Sequence, residues 1–163
     1  MIPDFVLFVD PLSTLNFELL FVEVKRKGNF ANGHLESDIV KLGKEMQIAV
    51  SKLVLKKVEC PEVVGLLIEE GNTATAYKMD LQYNAQYRMV ELSKFHFIRE
   101  NADDILLVPT ILEKLKQLQM IVARTMEKLY KAIDPQQQET PVDMTSNLRV
   151  PCGTPLATKV KKQ

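Results

Sequence analysis

Two short apolar runs, FVLFV at 5–9 and FELLFVEV at 17–24, stand near the start of the chain, with Asp10-Pro11 and Ser13 punctuating the stretch between them. Phe and Val dominate both, and neither strictly alternates apolar with polar residues. They therefore read as two neighbouring buried strands joined by a turn. Continuous apolar strands belong in a sheet that is covered on both faces, so helices are expected on each side. A short turn between them makes the pair antiparallel. That constraint sets the fold class: α/β, with a mixed central sheet flanked by helices.

The rest of the chain supplies the flanking elements. KGNFANGH at 27–34 reads as a loop. Ser37 is a candidate N-cap for an amphipathic helix over about 38–57, with Ile39, Leu42, Met46, Ala49, Val50 and Leu53 at spacings of three and four. VVGLLIEEG at 63–71 is a buried strand ended by glycine. TATAYKMDLQY at 73–83 alternates, placing Thr75, Tyr77, Met79, Leu81 and Tyr83 on one face and Lys78, Asp80 and Gln82 on the other. The turn NAQ and the run YRMVELSKFHF at 87–97 complete an antiparallel meander of three strands. In a final helical segment, Asp103 or Asp104 caps a first short turn and Pro109 suits an early helical position. Ile111, Leu115, Leu118, Val122, Met126 and Leu129 form a stripe running to about Ile133. From Asp134 onward, prolines and the loss of periodicity predict a disordered tail. The expected organisation is one α/β domain over 1–133 and a tail over 134–163.

Charge and cysteine usage narrow the function classes. The net charge is zero, so overall charge offers no support for a nucleic-acid partner. Residues 25–57, however, hold eight Lys or Arg against Glu36, Asp38 and Glu45, a net of +5, while 58–104 have a net of −5. One region thus suits phosphates and the other repels them, unless both are simply solvated faces. Cys60 and Cys152 have no CxxC spacing, which speaks against a disulfide scaffold or a cysteine-built zinc site. No signal-peptide pattern and no membrane-length apolar run is seen. The expected setting is intracellular, nuclear or cytoplasmic, without membrane contact.

The chemistry-bearing residues lie at the ends of the two strands. Residues two apart in a strand share a face, so Glu23 and Lys25 lie with Phe17, Leu19 and Phe21. Antiparallel pairing brings Asp4 to the end that carries Glu23. Two carboxylates there suit a hard cation such as Mg²⁺, and an ammonium beside them suits an attacking water or a developing phosphate charge.

Pro3-Asp4, eighteen intervening residues, and Glu23-Val24-Lys25, each attached to an apolar strand, resemble the PD-(D/E)XK nuclease superfamily, also called restriction-endonuclease-like. The resemblance covers about residues 3–70. It implies that Asp4 and Glu23 bind a divalent metal, usually Mg²⁺, that Lys25 assists the water, and that the reaction is hydrolysis of a DNA or RNA phosphodiester. The helix after the ExK strand fits the family layout, and Gln47 on it corresponds to a glutamine that supports the site in some branches. The family core begins with a helix and a strand ahead of the PD strand. Here Pro3 follows two residues after the start, so an N-terminally truncated or degenerate member, inactive as given, is one expectation.

Plainer readings stand beside these. Asp4, Glu23 and Lys25 also fit a solvated salt bridge at a sheet end, and Gln47 an exposed helix flank. His34 reads as loop and His96 as strand surface or core. Asp80, Glu69 and Glu70 have no lysine in the ExK register. The alternative function is a non-enzymatic α/β module that binds a protein partner through its sheet edge and its long C-terminal helix.

Overall fold

The computed structural model describes residues 3–11, 15–25, 38–69, 72–83, 86–98, 102–134 and 148. Five strands form one sheet in the order β1-β2-β3-β4-β5, with β1 at Phe5–Val9, β2 at Phe17–Val24, β3 at Glu62–Glu69, β4 at Thr73–Tyr83 and β5 at Gln86–His96. Helix α1 spans Asp38–Leu55 between β2 and β3; after β5, a three-ten turn at Ala102–Leu107 leads into α2, Val108–Ile133. β1 pairs antiparallel with β2, β2 parallel with β3, and β3 and β4 antiparallel with their successors. The sheet is mixed and the class is α/β. The single parallel pair is the one that needs a long crossover, and α1 supplies it.

Strand parity decides which residues meet which helix. Phe21 pairs with Gly65, and Gly65 with Tyr77. These share the α1 face, because a side chain at Gly65 would put its Cβ 2.6 Å from Met46 Sδ and 3.1 Å from Leu42 Cδ1 and Cδ2. Phe17, Leu19 and Phe21 of β2, with Val63, Leu67, Met79 and Leu81, meet Leu42, Met46, Ala49, Val50, Leu53 and Val54 of α1 in a closed core. Residues of the other parity, among them Val64, Leu66, Ala74 and Ala76, face α2, which buries Ile111, Leu118, Ile121, Val122 and Leu129. The Thr125 hydroxyl donates to the Glu62 carbonyl at 2.8 Å and fastens α2 to the start of β3.

Several expectations are corrected. β1 is not covered on both faces: Phe5 is 57% exposed, with Leu7 and Phe8 close behind, because α1 spreads over β2–β4 and α2 packs mainly on β3. The first helix stops at Leu55, where the chain turns through Lys57 at φ 60. Ile39 and Leu115 are exposed, while Ile121 and Thr125 take places in the buried stripe of α2. Leu107, with no capping side-chain bond, precedes α2, and Pro109 sits in its first turn as expected. Asp80 shares its face with Lys78 as expected and is buried at 2% exposure, enclosed by Arg88 and Lys78. His96 is exposed, its Nδ1 3.0 Å from Thr73 Oγ1. His34 lies outside the described residues. So does most of 134–163; of that segment Asp134 ends α2 and Leu148 is half-buried against the core.

Candidate carboxylate site at the end of β2

β2 places Phe17, Leu19, Phe21 and then Glu23 on the α1 face, so a carboxylate follows three apolar groups into the same interior. Glu23 is only 4% exposed. Above it runs the first half of α1, where Lys41 and Glu45, four residues apart, lie one turn above the other on one flank. The Lys41 ammonium donates to Glu23 Oε2 at 2.7 Å. Glu23 Oε1 and both oxygens of Glu45 are buried and accept no hydrogen bond from any donor among the described residues.

The electrostatics follow from this packing. Burial drives the Glu45 carboxyl from its ordinary 4.5 up to about 7; the negative charge of Glu23 pushes the same way, and Lys41 opposes both. A proton on Glu45 would let it donate to Glu23. Burial works to lower the Lys41 pKa, but the hydrogen bond and charge of Glu23, helped by Glu45 and Asp4, outweigh it and raise the ammonium above its ordinary value.

Asp4 is exposed, and its Oδ2 accepts the Val24 backbone N–H at 2.9 Å. With β1 starting at Phe5 opposite Val22, the Asp4 side chain extends the ladder where the main chain of β1 has ended. Asp4 thus reaches the end of β2 beside Glu23. Lys25 lies one residue past β2; its N–H continues the pairing to the Ile68 carbonyl at 2.8 Å, and its side chain is exposed. The ammonium against Glu23 is that of Lys41. Gln47 lies about 200° around the helix from Glu45. Its main-chain carbonyl accepts the Ser51 hydroxyl, which is 2.8 Å from the Tyr87 hydroxyl on β5, so this flank runs toward the β5 edge of the sheet, away from Glu23 near the β1–β2 edge.

Lys41 and Glu45 are the residues that sequence reasoning missed. A signal was present: Glu45 lies between Leu42 and Ala49 at spacings of three and four, a charge inside the apolar stripe. Glu45 also lines a cavity of about 400 Å³ with Pro3, Val6, Phe21, Ile48 and the Glu18–Lys52 pair. Among the described residues no group of three or more His, Cys, Asp or Glu is placed to hold a metal. Two carboxylates do meet, and oxygens that receive no hydrogen bond among the described residues are donors suited to a hard cation that keeps several waters.

No protein-family model, no curated protein and no solved structure matches the chain.

Proposed function

We propose that this chain is a nuclease-like protein that hydrolyses nucleic acid phosphodiesters with a divalent metal, Mg²⁺ by preference, at the carboxylate end of β2. The observation that carries the reading is Glu23: buried, held on one oxygen by Lys41 and left without a donor on the other. A structural ion pair needs no free oxygen, whereas a cation ligand does. The antiparallel β1–β2 pair with Asp4 at the Glu23 end, and the helix that follows β2, support the same reading. A bound cation would supply Lewis-acid polarisation of the phosphate and a lowered pKa for attacking water. Glu23 would hold it, Lys41 would orient the Glu23 carboxylate through its hydrogen bond to Oε2, and the exposed Lys25 would meet the phosphate at the rim. The basic excess over 25–57 suits a polyanion.

The test is cleavage of labelled single- and double-stranded DNA and RNA in Mg²⁺ or Mn²⁺. Metal-dependent cleavage that is lost in Glu23→Ala and lowered in Lys25→Ala supports the reading; no cleavage of any substrate by the wild type ends it. A second reading is a non-enzymatic module whose β1 edge and α2 bind a protein. It is favoured by the exposed Phe5, Leu7 and Phe8 of β1 and by Leu112 and Met120 of α2.

A further inference from the structure

We infer that Glu45 is the second carboxylate of the cation site, sharing one hard divalent ion with Glu23 Oε1, and that Lys41 is a positioning residue that fixes Glu23 for this task. The inference rests on the reading of Glu23 as a metal ligand and assigns it a partner from α1.

Three buried oxygens carry the argument. Glu23 Oε1, Glu45 Oε1 and Glu45 Oε2 receive no hydrogen bond among the described residues, although Glu23 is 4% and Glu45 7% exposed. A buried acceptor without a donor is costly, and two carboxylates facing each other in a protein interior compound that cost. Among the described residues Lys41 is the ammonium set against them and it is directed to Glu23 Oε2, so it leaves Glu23 Oε1 and both Glu45 oxygens without a cationic partner. A divalent ion would give these three oxygens a common partner.

Asp4 is less suited to the same task. Its Oδ2 is committed to the Val24 N–H, and it is exposed, where water competes for the ion. Glu45, in contrast, is buried and borders the cavity lined by Pro3, Val6 and Phe21. With carboxylate oxygens as the donors among the described residues, the ion class is Mg²⁺ or Mn²⁺.

The test is calorimetric titration of the full chain with MnCl₂ and MgCl₂, with Mn²⁺ electron paramagnetic resonance as a readout independent of activity. The wild type is expected to bind one ion. Glu23→Gln and Glu45→Gln should each weaken binding roughly tenfold or more, whereas Glu18→Gln, on the same cavity but paired with Lys52, should stay within about twofold. Circular dichroism checks folding, and Glu45→Asp, which keeps the charge but shortens the reach, replaces any variant that does not fold. Binding lost in Glu23→Gln and in Asp4→Asn but unchanged in Glu45→Gln would overturn the inference and leave the Glu23 reading standing. No binding of either ion by the wild type would overturn both.

Discussion

Two acids in this protein are buried to nearly the same degree, and their surroundings differ completely. Asp80 on β4, 2% exposed, is saturated: Arg88 Nε meets Oδ1 at 2.8 Å, Arg88 Nη2 meets Oδ2 at 3.1 Å, and Lys78 stands 3.7 Å away while pairing with Glu62. Glu23 on β2 has one oxygen paired and one without a donor, and it faces Glu45, which has none. Burial by itself therefore does not mark a chemical site. The state of hydrogen-bond satisfaction separates them: Asp80 has its lone pairs answered by cationic neighbours, whereas the Glu23–Glu45 pair keeps acceptor capacity that no described residue fills.

If Asp80 is structural, Asp80→Ala should cost about 2–4 kcal/mol in urea unfolding, because Lys78 and Arg88 lose their common anion, and Mn²⁺ affinity should be unchanged. A cost below about 1 kcal/mol would remove one side of the contrast. Gly65→Ala tests the other side through geometry. The added Cβ would come within 2.6 Å of Met46 Sδ and 3.1 Å of the Leu42 methyls, so these side chains must repack; a loss of about 1–3 kcal/mol is expected, with weaker Mn²⁺ binding if α1 is displaced and Glu45 moves from Glu23.

Glu45→Met should have the opposite sign. Replacing a buried, unpaired carboxylate by an apolar chain should stabilise the metal-free protein by about 1–2 kcal/mol at neutral pH, and it should abolish cation binding. The same group predicts a pH dependence in chelator-treated protein. Its folded pKa of about 7 lies above the ordinary 4.5, so the folded state holds a proton that the unfolded state has released. The associated stability is fully present below about 4.5 and is lost as pH rises through about 7, and Glu45→Gln should flatten that decline. Thermal unfolding at a series of pH values reads it directly. The smallest effect belongs to Lys52→Ala. Its pair with Glu18, 2.8 Å long and largely solvated, should be worth less than about 1 kcal/mol, and less still in high salt.

Much of the fold was legible because local period and solvent side are local properties. The runs at 5–9 and 17–24 gave strands, spacings of three and four gave α1 and α2, and the alternation at 73–83 gave β4. The exposed face of β1 was not legible, since an apolar run looks the same whether or not a helix reaches over it. The burial of Asp80 was hidden for a related reason: parity says that Lys78, Asp80 and Gln82 share a face, not that Arg88 of β5 closes over Asp80.

The site divides along the same line. By sequence alone, Glu23 follows Phe17, Leu19 and Phe21 on one face, and antiparallel pairing brings Asp4 to its end, because the two-residue period and a short turn dictate both. Only the tertiary structure decided that the ammonium against Glu23 is Lys41, that Glu45 faces it with no donor, and that Gln47 turns toward β5. Which residues of one element meet those of another depends on how closely α1 settles on the sheet over Gly65. The charge state of Glu45 depends on the water that this packing excludes, and neither quantity is a property of the neighbouring residues in the chain.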